Sequence, residues 1–217
     1  MPILLCAATA AEIEPTLLFI KTQNLSNQVE VLLTDIGLLQ ATYTITKAAA
    51  VLKPSVMIQA GVAGCFDESI QLGTTVTVLR ETVGDMGVLQ NNTFTSAFDM
   101  GLLKSNERPW TEEKLENPHN DLIKKAAFVL ADAVTVNEIS TNEERISYYK
   151  NGLGATAESM EGAALHYVGL MENIPFLQLR TFCNYVGERD KGKWRMELAI
   201  DNLNQALQNV LLNVLQP

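Results

Sequence analysis

Apolar positions along this chain follow two rhythms. Short continuous apolar runs alternate with stretches in which apolar residues recur every three or four positions. The first rhythm suits strands buried on both faces, the second amphipathic helices. Runs at 2–8, 29–36, 56–60, 133–139 and 176–183 predict strands. Residues 73–83 alternate and are β-branched, which predicts a strand paired with Val88-Leu89. Helical spacing covers 38–52, 120–130 and 192–215, the last with a stripe through Ile200, Leu203, Leu207, Val210 and Val214. Thr141 with Glu144 predicts a short capped helix running to 150. Residues 94–117 are polar and irregular and read as a long loop, functional or mobile.

One segment pulls in two directions. Thr9 and Glu12 have capping-box spacing. A helix begun at Ala10 would carry Pro15 in its interior, whereas proline is most comfortable at the first helical position. The helix is therefore expected to start near Pro15, leaving Glu12 and Glu14 on a loop after the first strand. Open α/β sheets place ligands at such strand ends.

Strands alternating with helices predict an α/β fold, one domain over 1–217, with a mostly parallel sheet covered on both faces. Composition narrows the function. A formal charge of −9 leaves no footprint for nucleic acid and opposes an acidic membrane surface. No apolar run reaches membrane-spanning length, and 1–8 lacks the basic region of a signal peptide. Cys6, Cys65 and Cys183 lack CxxC spacing and read as reduced thiols of a cytoplasmic protein. His119 and His166 lie far apart, so no His/Cys metal site is expected. No Gly-x-Gly-x-x-Gly follows the first strand, which disfavours a dinucleotide fold.

The stretch around which the chain is organised is Glu158-Ser159-Met160-Glu161-Gly162. It follows a short β-compatible run and precedes helical spacing, so it reads as strand end, turn and helix start. Acidic residues in a first helical turn commonly offset the helix dipole. Here they are accompanied by Gly61-Val62-Ala63-Gly64 after one strand and by Leu179-Arg180-Thr181-Phe182-Cys183-Asn184 at the end of another. With Ala-Ala-Glu-Ile-Glu near the start, these four motifs resemble the purine nucleoside phosphorylase and nucleosidase superfamily over nearly the whole chain.

The resemblance implies a three-layer nucleoside phosphorylase-like architecture, its mixed, mostly parallel sheet partly barrel-like. It is strongest to the hydrolase branch, and Asn184-Tyr185-Val186-Gly187-Glu188-Arg189-Asp190 with Trp194 resembles futalosine hydrolases. It implies cleavage of futalosine to hypoxanthine and dehypoxanthine futalosine in menaquinone biosynthesis, without cofactor or metal, by a homo-oligomer. Glu14 is implied as the water-activating base, with Glu12 as its rival. Gly61, Val62, Ala63, Gly64, Ile139, Ser159 and Met160 border the substrate, and Glu161 accepts the ribose hydroxyls. Arg180 orients a site carboxylate or the Asn184 loop. Arg108, Arg189 and Arg195 are candidates for the substrate's distal carboxylate, while Glu158 and His166 read as structural.

Breaking an N-glycosidic bond needs a purine that leaves without accumulating charge and a carboxylate that stabilises the cationic sugar. Adenine nucleosidases carry aspartate where this chain has Asn184. An amide can donate N–H to a 6-oxo group and accept from a protonated N7. Asn184 thus points to a 6-oxopurine. Rival readings are a purine nucleoside phosphorylase, which lacks an arginine in the Gly-rich turns here; an adenine-releasing nucleosidase; and a non-catalytic nucleoside-binding relative.

Overall fold

The computed structural model describes residues 1–91 and 93–216. In chain order the elements are β1 (Ile3–Ala7), α1 (Ala10–Thr22), β2 (Val29–Leu33), α2 (Leu38–Leu52), β3 (Val56–Cys65), β4 (Thr75–Val83), β5 (Gly87–Gln90), β6 (Thr93–Ser96), β7 (Leu115–Glu116), α3 (Asn120–Ala126), β8 (Val129–Thr135), α4 (Glu143–Ser147), β9 (Ala157–Ser159), α5 (Gly162–Glu172), β10 (Phe176–Tyr185) and α6 (Met196–Leu215). A π-helical turn, Tyr148–Gly152, extends α4, and a 3-10 turn, Lys191–Lys193, precedes α6.

The sheet closes on itself. β3 pairs in parallel with β10, β10 antiparallel with β4, β4 in parallel with β8, β8 in parallel with β9, and β9 antiparallel with β3. β1 and then β2 extend the sheet from β3, both parallel. The ring is filled by small and β-branched residues, among them Ala63, Val76, Val78, Ala133 and Ala157, together with the aromatic ring of Phe182. One outer layer packs Ile13 and Ile20 of α1 and Leu203, Leu207 and Val210 of α6 onto the sheet. The other packs Ala41 and Ile45 of α2 against Ala164, Leu165 and Val168 of α5. The architecture is the expected one: an α/β mixed sheet, partly barrel-like, between helices.

The closure opens a gap that matters. β1 pairs with β3 only as far as Gln59, and β9 takes over at Gly64 and Cys65. Along that edge, residues 60–63 of β3 have no strand beside them. Backbone N–H groups there need another partner.

Several sequence expectations are corrected. The helix does not begin at Pro15. α1 starts at Ala10, with Thr9 and Glu12 forming the capping box and Pro15 inside the helix. Gly61–Gly64 is not a turn but the second half of β3, because β10 pairs with it through Cys65. Val88-Leu89 pairs with β6, not with β4, whose partner from the supposed long loop is β7. The helix from 120 stops at Ala126, where Ala127 turns left-handed (φ 60°) and β8 begins early. Asn142, not Thr141, caps α4, accepting the Arg145 backbone N–H at 3.0 Å. The last helix starts at Met196 rather than at 192.

Candidate functional site

The site grows from the gap beside β3. Thr9 caps α1, and its N–H and hydroxyl both donate to Glu12 Oε2 (3.1 and 3.2 Å). This fixes the Glu12 side chain. Its other oxygen, Oε1, accepts the Val62 backbone N–H at 3.1 Å, the donor that the β1–β9 gap leaves free. Gly61 makes the approach possible. A β-carbon there would stand 3.0 Å from Glu12 Oε1 and would overlap the Arg180 guanidinium.

Arg180 is fully buried in β10 and links the next carboxylate to this point. Its Nη2 donates to Gln59 Oε1 (3.1 Å), and Gln59 Nε2 donates to the Glu161 carbonyl (3.3 Å). Glu161 occupies the cap position of α5 without capping it with its side chain. The carboxylate turns instead to α2, where Oε1 accepts the Gly37 N–H at 3.0 Å. Gly37 has φ +99°, a conformation in which L side chains are strained. The dipole reading of Glu161 therefore does not describe where its side chain goes.

Asn184 lies at the far end of the same strand. It sits opposite Gly64 in the β10–β3 pairing, after a register shift. A β-carbon on Gly64 would meet Val186 and lie 3.7 Å from Asn184 Nδ2. The amide is held by the Tyr185 carbonyl (2.8 Å) and by the Cys183 thiol (3.2 Å). Ala63 is buried beside it. Ser159 accepts the Gly162 N–H (3.3 Å), which supports the start of α5, and Met160 is half-buried between Ser159 and Glu161.

Glu14 does not join this group. It is exposed, two residues past Glu12 and so about 200° around the helix. α1 buries Ile13, Thr16 and Ile20, and Glu12 hydrogen-bonds to the backbone of β3. The structure thus sets Glu12, and not Glu14, against β3. The signal that could have found Glu12 was the Thr9/Glu12 capping box, set aside because of Pro15.

Behind Glu161 lies a buried polar cluster. Glu81 accepts hydrogen bonds from Gln178 Nε2 (2.8 Å) and the Thr135 hydroxyl (2.9 Å), and Thr135 accepts the Ala163 N–H (2.8 Å). Burial pushes the Glu81 carboxyl up to about 7, against those bonds and the Arg180 charge. His166 bonds the Leu115 carbonyl through Nδ1 (2.8 Å), and burial lowers its pKa to about 4. That lowering favours the uncharged ring at neutral pH. Arg108 is structural: Nη2 bonds the carbonyls of Leu170 (2.6 Å) and Met171 (2.9 Å) at the end of α5. Arg189 lies over the Trp194 ring at 5.5 Å, and Arg195 occupies the position before α6 without capping it through its side chain.

Ile139 is partly exposed just after β8. It lines a cleft of about 420 Å³ with Phe94, Ser140, Arg145, Tyr148 and Tyr149. Neither Glu12, Glu161 nor Asn184 lines that cleft. Ser140 of its lining donates its N–H to Glu158 Oε1 (3.2 Å).

Carboxylates from α1 and from the start of α5, and an amide from β10, thus stand around an α/β sheet whose glycines leave its backbone uncovered. The chain belongs to the Phosphorylase superfamily, whose family model it matches over residues 12–215. It is 26% identical over 180 residues to a futalosine hydrolase of Thermus thermophilus, covering 82% of this chain and 79% of that protein. Among solved structures it is similar to a 5′-methylthioadenosine/S-adenosylhomocysteine nucleosidase of Colwellia psychrerythraea in complex with adenine. That match has a TM-score of 0.79 and 19% identity, covering 98% of this chain and 95% of the other. A futalosine hydrolase mutant of Helicobacter pylori superposes with a TM-score of 0.77 and 18% identity, covering 97% and 98%. The architecture expected from the four motifs is that of these folds.

Proposed function

We propose that the chain is a nucleosidase that hydrolyses futalosine and releases hypoxanthine. The observation that carries this reading is a pair of carboxylates held on backbone N–H groups, Glu12 on Val62 and Glu161 on Gly37, with Asn184 opposite Gly64 of β3. The likeness to the Thermus thermophilus protein supports the substrate.

In this reading Glu12 draws a proton from a water molecule, whose oxygen adds to C1′ as the C1′–N9 bond breaks. The Val62 N–H and Thr9 keep the carboxylate aimed at that water. Glu161 accepts the ribose 2′ and 3′ hydroxyls, and its attraction grows as the sugar gains positive charge. Met160 packs on the sugar. The purine leaves with a solvent-derived proton on N7, which the Asn184 carbonyl accepts while its NH₂ donates to O6. Gly61, Val62, Ala63 and Gly64 line the floor, Ser159 holds the Glu161 turn and Ile139 stands on the neighbouring cleft.

The chain acts as a homo-oligomer in a reducing, cytoplasmic setting. The exposed apolar residues Leu39, Tyr43, Val88, Leu89 and Leu102 support the first statement, and three buried free cysteines the second. Light scattering on the purified protein checks the assembly.

A panel of nucleosides incubated without phosphate, with each released base identified, tests the function. Hypoxanthine from futalosine is the expected main product. Release that depends on phosphate would instead identify a phosphorylase. Adenine from methylthioadenosine as the main product would favour the second reading, suggested by the likeness to the Colwellia nucleosidase fold.

A further inference from the structure

Glu81 of β4, Gln178 of β10 and His166 of α5 form a buried row behind Glu161, and none of the three touches solvent. Gln178 Nε2 lies 2.8 Å from Glu81 Oε1, and Gln178 also meets the His166 ring. The Nδ1 hydrogen of His166 goes to the Leu115 carbonyl, so a neutral ring keeps a lone pair on Nε2. With its NH₂ on Glu81, Gln178 turns an oxygen towards that ring. Gln178 Oε1 and His166 Nε2 are then both acceptors, and neither has a hydrogen-bond partner among the described residues. Unpaired buried acceptors cost stability, so a hydrogen is missing from the row.

Chemistry offers it two places. On His166 it makes an imidazolium and leaves Glu81 ionised, two charges in a dry interior. On Glu81 it makes a carboxylic acid and leaves the row uncharged. The Gln178 amide then faces the other way, a rotation that keeps its shape. Glu81 donates to the amide oxygen, and the amide NH₂ donates to His166 Nε2, so both orphaned atoms are used. The Thr135 hydroxyl still donates to Glu81 Oε2 (2.9 Å) and accepts the Ala163 N–H (2.8 Å). Burial raises the Glu81 carboxyl to about 7 and lowers the His166 ring to about 4, which assigns the proton to Glu81. Of the charged groups facing Glu81, Glu161 opposes its ionisation and Arg180 of β10 favours it, and desolvation outweighs Arg180. Thr135 of β8, Gly162 of α5 and Leu115 of β7, which also adjoin Glu81, carry no charge.

We propose that Glu81 is a positioning residue for Glu161 and acts as an uncharged carboxylic acid. A β-carbon on Gly162, the residue after Glu161, would overlap Glu81 Oε1. The carboxyl therefore lies directly under the turn that carries Glu161. Through Thr135 it also holds the N–H of Ala163, the second residue of α5. An ionised Glu81 would set a second negative charge behind Glu161 and orphan the two acceptors again. The inference rests on the proposed reading of Glu161 as the group that accepts the ribose hydroxyls.

The test compares the wild type with Glu81→Gln and Glu81→Leu at about pH 6 and about pH 8, either side of the Glu81 titration. Glutamine keeps the shape and an uncharged donor and acceptor, and leucine keeps neither donor nor acceptor. The infrared spectrum of the wild type minus that of Glu81→Gln should contain the carbonyl stretch of a carboxylic acid at the lower pH and lose it at the higher. At the lower pH the KM of Glu81→Gln for futalosine should lie within about twofold of the wild type. Towards the higher pH the wild-type KM should rise at least about threefold more than that of Glu81→Gln. Glu81→Leu should raise KM about 10- to 100-fold at both, with kcat changed less. A missing acid stretch at the lower pH overturns the proposal. So does a glutamine variant as impaired as the leucine one, or a KM that follows pH in parallel in wild type and Glu81→Gln. The infrared and glutamine comparisons decide even if Glu81→Leu fails to fold. If the wild type does not hydrolyse futalosine, calorimetric binding of inosine, which carries the ribose hydroxyls, replaces KM. The acid stretch with the same ranking then sustains this inference and removes the hydrolase reading. Hydrolysis without the acid stretch does the reverse, and a wild type that binds no nucleoside removes both.

Discussion

Asn204 of α6 holds Thr16 of α1 through two hydrogen bonds to its side-chain Oδ1, one from the Thr16 N–H (3.0 Å) and one from its hydroxyl (2.7 Å). Its Nδ2 donates to the Glu12 carbonyl at 2.9 Å. In a regular helix the Thr16 N–H would bond that same carbonyl. The amide thus sits inside a rung opened next to Pro15, and it pins the backbone of Glu12. Replacing Asn204 by leucine keeps the volume and strands these buried groups. Stability should fall by about 3 kcal/mol, since each orphaned group costs on the order of 1–3 kcal/mol. Urea denaturation measures it. A stability within about 0.5 kcal/mol of wild type would refute the role of the amide.

The two acidic residues of α1 should behave differently. Glu12→Gln is expected to lower kcat by roughly 10²- to 10⁴-fold, the usual worth of a positioned base, with substrate binding retained. Glu14→Gln should leave kcat within about twofold. Steady-state base release on both variants decides. The reverse ranking would return the base to Glu14.

Gly162 admits no side chain. A β-carbon there would run into Glu81 Oε1 and Gln178 Nε2, both buried. Gly162→Ala is expected to cost about 1–3 kcal/mol from overpacking and to displace the Glu161 turn. Thermal melting and the KM for nucleoside report the two effects. An unchanged KM would show that the cluster around Glu81 does not set the position of Glu161.

Two buried groups give the stability curve opposite slopes. Glu81 titrates near 7 in the fold against 4.5 when unfolded. Between those values the folded state holds the extra proton, so stability falls as pH rises from about 4.5 to about 7, by up to roughly 3 kcal/mol. His166 titrates near 4 in the fold against 6.5 unfolded. There the unfolded state holds the extra proton, so stability falls as pH drops from about 6.5 to about 4. Glu81→Gln should remove the first slope and leave the second. Denaturation midpoints across pH 4–8 measure both, and a variant curve parallel to the wild type would contradict the assignment to Glu81.

Gly37→Ala meets no side chain, since nothing lies within 4 Å of the added carbon. Its φ of +99° alone opposes the change. The expected cost is about 1–2 kcal/mol. Because the Gly37 N–H faces Glu161, KM should rise as well. Nucleoside KM and the melting temperature check this together.

The sequence by itself determined which elements exist and which motifs matter. Apolar rhythm placed strands at β1, β3 and β10, and the stripe through Leu203, Leu207 and Val210 marked α6. Ser-Met-Glu-Gly and the strand to Asn184 were legible because spacing and residue type are local properties. Tertiary structure decided which glutamate of α1 lies against β3. Pro15 argued against a helix at Ala10, and no local rule reveals that the Asn204 amide, 188 positions after Thr16, repairs the broken rung. Nor does local pattern show that β1 and β9 part beside Gly61, leaving the Val62 N–H for Glu12, or that Gly64 separates Asn184 from Glu158. Register across a closed sheet is set by long-range pairing, and it is pairing that brings distant residues to one face.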